Sequence, residues 1–464
     1  MLSVSGARGI VGRTMTPEVA AAFAAAFGSH VRARVAGSGA ARRPRVVLGR
    51  DGRISGEPLA LAAAGGLLAV GCDVTDIGVA MTPTVGVMIG ALGADGGMAV
   101  TASHNPIEWN GLKCLDGSGL APPPEEAREI VRRFTERRVD WAPPLGTGRM
   151  DRTDAAARTH VERVLAQVDV AAIRARGFAV VLDSVNASGC VPGRMLLEAL
   201  GCRVTHLFGE CTGVFGHTPE PLEANLVELA AGVARTPGAV AGFAQDPDAD
   251  RLALVDERGR YVGEEYTLVL AALRMLQRTG GGTMAANLST SRMVDDVAAR
   301  FPGSRVVRTA VGEANVVEAL RREAGILGGE GNGGVILPPV CWVRDSLSAM
   351  ALVLELLAHE RRPLSAIVAD LPRYAMVKHK LDLEAVGGMA AVGPALERVQ
   401  AAYRGRTGAR ISAVDGVRVD LPEGWMHVRA SNTEPILRII AEGATPEAAE
   451  ALVRGCAEAA GLRA

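Results

Sequence analysis

Short apolar runs of strand length alternate with alanine- and leucine-rich stretches of helical length, and the alternation begins afresh three times. In the first set, residues 45–49 and 72–78 read as strands around a helix that opens at Gly56. An earlier helix starts at Thr16 and Pro17, where a capping hydroxyl precedes a ring-fixed φ suited to a first turn. In the second, residues 178–183 and 203–207 read as strands around a helix at 193–200. The third follows Glu257, with a helix at 265–276, strands at 284–288 and 305–308, and helices at 292–300 and 314–324. Strand–helix alternation specifies α/β layering, and three restarts imply three related α/β units. The tail differs. Residues 416–420, 425–429 and 436–440 read as three strands before a helix begun by Thr445 and Pro446, a smaller α+β domain.

The 464 residues exceed the roughly 250–300 that a single core reaches. The expected divisions are 1–150, 151–257, 258–371 and 372–464, with the polar residues 359–362 and Pro372 near the last junction. Aromatics are only 3% of the chain against 48% hydrophobic residues, so Ala, Val and Leu must fill the cores. Leu352, Leu354 and Met350 read as core for that reason. Fifty basic residues balance 51 acidic ones, which leaves no basic footprint for nucleic acid. No apolar run is long enough to span a bilayer, and the first residues lack a signal peptide's apolar region. Seven cysteines without a CxxC pair fit a reducing compartment. The expectation is a cytoplasmic protein, monomer or homodimer, with neither nucleic-acid nor membrane partner.

Four segments carry chemistry. Ser103 follows an apolar run and is flanked by His104, Asn105 and Pro106, with Asn110, Gly111 and Lys113 after them. A lone serine at a strand end is ordinarily a turn residue bonded to nearby backbone. Here a histidine stands beside it and Lys113 can reach back on a Gly111-containing loop. A phosphorylated serine needs such cations, and either group could move a proton. Asp246, Asp248 and Asp250, followed by Arg251, alternate so that a tight loop would converge their oxygens. Hard oxygen ligands suit Mg²⁺, which completes its shell with phosphate and water. A solvated acidic turn is the plainer reading, and the EF-hand pattern is absent.

Residues 328–334 form a glycine-rich loop that holds Glu330 and Asn332. It matches neither a Walker A nor a dinucleotide fingerprint. Its carboxylate and amide can recognise paired hydroxyls, although an ordinary turn has the same composition. Arg429, Ser431, Asn432 and Thr433, with Arg438 beyond, form the last segment. A small-residue loop between strands can aim N–H groups and hydroxyls at an anion, and two arginines add charged donors. Arg8 lies in a further glycine loop near Ser5. Arg50, Asp51, Arg53 and Ser55 could brace the nucleophile, or Arg53 and Asp51 could simply pair. Arg344 and Asp345 could orient the glycine-rich loop.

With these segments in place, the chain resembles the alpha-D-phosphohexomutase superfamily over nearly its whole length, from Arg8 to Arg438. The resemblance implies three similar mixed-sheet α/β domains and a smaller C-terminal α+β domain around a central cleft. It implies a phosphoserine at Ser103 that shares a Mg²⁺ site with Asp246, Asp248 and Asp250. Arg8, His104, Lys113 and Arg251, read from their own positions, would then lie at the reacting phosphate. Glu330 and Asn332 would hold sugar hydroxyls; Arg429, Ser431, Asn432, Thr433 and Arg438 would hold the distal phosphate. The expected activity interconverts glucosamine 6-phosphate and glucosamine 1-phosphate through a 1,6-bisphosphate that also primes the reaction. Phosphomannomutase/phosphoglucomutase activity is the alternative, and a noncatalytic sugar-phosphate-binding protein is the reading from another class. Four features depart from the family: Asn332 where Ser is frequent, Gly334 where His is frequent, Asn432 where Gly is common, and an N-terminal Ser5-Gly-Ala-Arg8 stretch in place of the usual isoleucine-arginine form. Without a histidine at 334, Lys113 becomes the preferred proton-transfer group, with His104 as the other.

Overall fold

The structure is a computed structural model that describes residues 2–3, 6–384, 388–431 and 436–462. The chain divides into two compact units, Met1–Arg278 with Asn332–Val368, and Thr279–Gly331 with Ala369–Ala464. The first unit holds two sheets. Strands β1 (Leu2–Ser3), β2 (Gly6–Ile10), β3 (Arg45–Arg50), β4 (Asp73–Val79), β5 (Gly96–Val100), β6 (Trp109–Asp116) and β7 (Met150–Arg152) are ordered β1-β2-β6-β5-β3-β4-β7. The sheet is mixed: β3 runs parallel to β4 and β5, while β6 runs antiparallel to β5 and β2. Strands β8 (Ala179–Asp183), β9 (Arg203–Leu207), β10 (Ala239–Gln245) and β11 (Leu252–Asp256) form the second sheet, ordered β11-β10-β8-β9. Only the β10–β11 pair in it is antiparallel.

Two sequence expectations change here. Lys113 lies on β6 rather than on a loop, because residues 109–116 pair on both sides, with β5 and with β2. The polar stretch around residues 141–154 contains β7, a three-residue strand parallel to β4. Three residues are too few to show an alternating pattern.

Thr16 caps the helix Pro17–Gly37 by accepting from the Val19 N–H at 3.4 Å. Phe23 and Phe27 of that helix are buried with Leu59, Ala63 and Leu67 of the next, so two aromatic rings supply much of an otherwise alanine-rich core. The helix Ser346–Glu360 is apolar on nearly all sides. Ser346 through Ala358 are buried, Met350, Leu352 and Leu354 among them, as an all-round hydrophobic helix must be. Asp345 caps it, accepting from the Leu347 and Ser348 N–H groups at 3.0 Å each. The short strand β15 (Gly334–Ile336) belongs to the same unit.

In the second unit β12 (Thr283–Asn287) lies between β13 (Arg305–Thr309) and β14 (Leu327–Glu330), all parallel. The C-terminal sheet is antiparallel, ordered β16-β20-β19-β18-β17 from β16 (Ala375–Asp382), β17 (Arg410–Ser412), β18 (Val417–Leu421), β19 (Gly424–Ala430) and β20 (Ile436–Gly443). One face of it buries Val417, Val428, Leu437 and Ile439 against the helices Met389–Tyr403 and Pro446–Ala459. The fold class is therefore α/β with mixed sheets plus a smaller C-terminal domain, as expected. Among the described residues no helix is long and apolar enough to cross a membrane.

Candidate active site

Ser103 sits in the turn between β5 and β6 with φ 51, a left-handed conformation that a non-glycine residue adopts only when held there. Buried polar contacts hold it. Its N–H donates to Thr101 Oγ1 at 2.8 Å, and the Thr101 hydroxyl donates to Asp51 Oδ2 at 2.7 Å. Asp51 also accepts from Arg53 Nε at 2.9 Å. The remaining Arg53 donors reach the carbonyls of Ser103, Asn105 (2.9 Å), Pro106 (2.8 Å) and Trp109 (3.2 Å). Arg53 is 1% exposed, so one buried guanidinium ties the whole turn. Both sequence readings of Arg53 hold together: it pairs with Asp51 and braces the nucleophile. Gly111 faces this turn from β6. A Cβ there would lie 2.5 Å from the Ala7 carbonyl and 2.8 Å from that of Thr101.

The Ser103 hydroxyl, 4% exposed, donates to Asp246 Oδ2 at 3.2 Å and lies 3.4 Å from His104 Nδ1. Asp246 follows β10, and the next residues turn so that Asp248 and Asp250 return to the same point. Ala249 takes φ 51 in that turn. One oxygen from each aspartate falls within 4.8 Å of the others, and all three side chains are buried. Each outer oxygen has a protein donor: Thr82 Oγ1 to Asp248 Oδ2 at 2.7 Å, and Arg344 Nη2 to Asp250 Oδ2 at 2.6 Å. Lys113 Nζ stands 3.8 Å from Asp250 Oδ2, and Arg251 Nε 3.9 Å from Asp250 Oδ1. Asp248 Oδ1 and Asp250 Oδ1 are buried without a hydrogen-bond partner among the described residues. Buried carboxylate oxygens in that condition are costly, and a hard divalent cation with oxygen ligands fits them.

The charges in this site oppose one another. Burial, then the neighbouring Asp248 and Asp250, pushes the Asp246 carboxyl well above its ordinary range. Burial also works against the charge on Asp250, but Arg344, Lys113 and Arg251 outweigh it and hold that carboxyl at about 2. His104 is lowered to about 3 by burial and by Arg251 and Arg8, so its imidazole is neutral near pH 7. Arg8, on β2, reaches Asn105 Oδ1 through Nη1 at 3.4 Å.

Thus Ser103, His104, Lys113, Arg8, Arg251 and the three aspartates come together in one unit, and Asn332 joins them through Arg344 Nη1 at 3.4 Å. Arg344 is the partner that sequence reading undervalued. Gly334 explains its place: a Cβ at 334 would lie 2.2 Å from Arg344 Cδ. The missing side chain at that departure from the family leaves the room Arg344 uses to reach Asp250. Thr82 had no sequence signal, since only the fold brings it to Asp248.

The other expected site residues belong to the second unit. Glu330 ends β14, is 6% exposed, and its Oε1 accepts from Asn287 Nδ2 at 2.8 Å and the Gly312 N–H at 3.2 Å. On the C-terminal sheet, Arg429 stands opposite Arg438, which stands opposite Lys380 on β16. Three cations in one cross-strand row repel one another, and a bound anion would offset that. Arg429 Nε donates to Asp415 Oδ2 at 2.9 Å, while its buried Nη2 has no hydrogen-bond partner among the described residues. Asp415 Oδ2 also accepts from the Val311 N–H at 3.0 Å, one residue before the Gly312 N–H that holds Glu330. Ser431 is half-buried, its N–H bonded to the Ile436 carbonyl at 2.8 Å. Asn432 and Thr433, like Ser5, lie outside the described residues.

Models of phosphoglucomutase/phosphomannomutase match four stretches: alpha/beta/alpha domain I over residues 2–139, domain II over 158–259, domain III over 263–374, and the C-terminal domain over 377–459. A Thermococcus kodakarensis protein named "Phosphoglucomutase/phosphomannomutase" is 37% identical over 445 residues, covering 96% of this chain and 94% of that one. A Methanopyrus kandleri protein named "Probable phosphoglucosamine mutase" is 37% identical over 462 residues, covering 98% of each. The X-ray structure of a phosphoglucomutase/phosphomannomutase family protein from Burkholderia thailandensis superposes with a TM-score of 0.85 at 28% identity, covering 99% of this chain and 98% of that one. This chain belongs to the phosphoglucomutase/phosphomannomutase family of hexose-phosphate mutases.

Proposed function

We propose that the protein interconverts glucosamine 6-phosphate and glucosamine 1-phosphate through a phosphoserine at Ser103 and a 1,6-bisphosphate intermediate. The observation that carries the chemistry is the Ser103 hydroxyl, 3.2 Å from Asp246 in a buried three-carboxylate cluster. The choice of sugar rests on the Methanopyrus kandleri relative and on a 35% identical Pyrococcus abyssi relative of the same name, which this chain matches over 97% of its own length.

In the first half-reaction a hydroxyl of the hexosamine phosphate attacks phosphorus on phosphorylated Ser103. The bond between phosphorus and Ser103 Oγ breaks, and the hydroxyl proton passes to the neutral imidazole of His104 or to Lys113 once that side chain has given up its own proton. The bisphosphate then presents its other phosphate; Ser103 Oγ attacks that phosphorus, the bond between phosphorus and the sugar oxygen breaks, and the sugar oxygen takes the proton back as a hydroxyl. Arg8 and Arg251 lie beside the charge that develops on the transferring phosphoryl oxygens. Asp246, Asp248 and Asp250 would hold Mg²⁺ with the Ser103 phosphate, and the ion would supply charge neutralisation and polarisation there. Asn332, oriented by Arg344, and Glu330, held by Asn287, are the sugar-hydroxyl partners. Arg429, Ser431, Asn432, Thr433 and Arg438 hold the phosphate that is not reacting.

The Thermococcus kodakarensis relative favours a second reading, phosphoglucomutase/phosphomannomutase activity. Glucosamine, mannose and glucose 6-phosphates assayed side by side with Mg²⁺ and the matching 1,6-bisphosphate separate the two. Highest kcat/KM on glucosamine 6-phosphate is the expected result. A preference for mannose or glucose would move the assignment to the second reading. No isomerisation of any of them would return it to a sugar-phosphate-binding protein.

A further inference from the structure

Cys190 opens the helix Cys190–Ala199 and is buried; Cys211 is half-buried in the loop after β9. Their surroundings are reciprocal. The Cys190 thiol donates to the Phe208 carbonyl at 3.6 Å, and the Cys211 thiol donates to the Ala187 carbonyl at 3.8 Å. Each sulfur thus meets the backbone three residues before the other cysteine, which brings the two thiols into the same neighbourhood. The neighbouring Cys190 holds the Cys211 thiol below its ordinary range, while Cys211 and burial raise the Cys190 thiol. Elsewhere burial pushes the Cys72, Cys202 and Cys456 thiols up to about 12, which leaves them poor nucleophiles.

Both segments are strained, and the one that carries Cys190 abuts the aspartate loop. Val185 (φ 46), Asn186 (φ 55), Phe208 (φ 46) and Cys211 (φ 54) all take left-handed conformations, and a β-branched residue is a rare outlier there. Ser188, two residues before Cys190, donates to the Pro247 carbonyl through its hydroxyl at 2.6 Å and its N–H at 3.2 Å. Pro247 lies between Asp246 and Asp248, so the turn that carries Cys190 grips the carboxylate cluster.

We propose that Cys190 and Cys211 are a redox-reactive pair that closes to an intramolecular disulfide and, through Ser188, displaces the Asp246–Asp250 loop. The oxidant is a small disulfide of the oxidised-glutathione class. The more accessible Cys211 thiolate attacks one of its sulfurs; the oxidant's S–S bond breaks and one thiol leaves. The Cys190 sulfur then attacks Cys211 Sγ, and the second thiol leaves. Two protein thiols are oxidised, one small disulfide is reduced to two thiols, and the two protein protons end on those thiols. An S–S bond of about 2.05 Å is far shorter than any non-bonded contact between two thiols. Closure therefore draws residues 187–190 and 208–211 together and removes the S–H donors from the Ala187 and Phe208 carbonyls. The effect on the aspartate loop rests on the mutase reading of those carboxylates; the thiol chemistry does not.

The test incubates the full chain with oxidised glutathione, counts thiols after denaturation, maps disulfide-linked peptides, and titrates Mg²⁺ alone by calorimetry. The expected result is loss of two of the seven thiols in one linked peptide that joins Cys190 to Cys211. Dithiothreitol reverses the loss, and Mg²⁺ affinity is several-fold weaker in the oxidised protein. Cys211→Ser should remove both effects. Seven thiols remaining, or a persistent glutathione adduct on Cys211 with Cys190 still free, would overturn the pair. A linked peptide with unchanged Mg²⁺ affinity would overturn the coupling to the loop. A linked peptide in a protein that shows no mutase turnover even in its reduced form would refute the mutase reading and leave the pair standing.

Discussion

Arg53 and Arg344 do at the residue scale what the nucleophile and the carboxylates cannot do for themselves. Arg53 converts a strained serine turn into a fixed one by saturating four backbone carbonyls. Arg344 sets Asp250 and Asn332 together, and it can do so only because residue 334 lacks a side chain. Gly334→Ala should therefore push Arg344 off Asp250. A charge-assisted hydrogen bond at a buried site is worth about 1.5–3 kcal/mol, so kcat/KM should fall roughly ten- to a hundredfold. The same change in an Arg344→Ala background should cost little further, a non-additivity that a double-mutant cycle measures. Full additivity would show that Gly334 matters for another reason. Ser103 and the aspartates were legible in the sequence because their chemistry is written within a few consecutive positions. Arg344 and Thr82 were not, because each meets its aspartate only through the fold, from 94 and 166 positions away.

At the scale of elements, turns carry the nucleophile and the aspartates, and strands aim the other charged groups. Lys113 is aimed from β6, Arg429 and Arg438 from β19 and β20, and Glu330 from the end of β14. The periodic runs around residues 45–49, 178–183 and 425–429 were readable because buried strands leave continuous apolar stretches. β16 was not: Lys378, His379 and Lys380 interrupt its pattern on an edge strand, where one side of the ladder is unpaired. Beside Arg429 on the polar face of the C-terminal sheet, His427 is buried between Ser289 (3.0 Å from Nδ1) and the Asp415 carbonyl (2.6 Å from Nε2). Burial lowers this histidine from 6.5 to about 4. The unfolded chain takes up that proton near pH 6.5 and the folded chain only near 4. The neutral histidine's contribution is thus complete above pH 6.5 and is lost as pH falls toward 4. Between pH 7 and 5 the loss should be about 2 kcal/mol. Urea unfolding at the two pH values should show a smaller difference for His427→Gln than for the native chain. Equal differences would mean that His427 is already protonated in the fold.

For the molecule as a whole, the net charge of -1 hides a strong local imbalance. Three buried carboxylates converge in the first unit, with Asp248 Oδ1 and Asp250 Oδ1 left without hydrogen-bond partners among the described residues, and three cations share one cross-strand row in the second. A ligand that binds only the folded state stabilises it by mass action. Mg²⁺ at a hundred times its dissociation constant should add about 2.7 kcal/mol to the first unit and raise its melting temperature. Chelation should reverse the rise, and Asp248→Asn should blunt it. An unchanged melting temperature in differential scanning calorimetry would argue that the three aspartates hold no ion.

The most direct test of the central claim is peptide mapping by mass spectrometry after incubation with glucose 1,6-bisphosphate and Mg²⁺. The expected result is one phosphoryl group on Ser103, release of hexose monophosphate, and no labelling or turnover in Ser103→Ala. A phosphoryl group on another residue, or isomerisation that persists in Ser103→Ala, would contradict it.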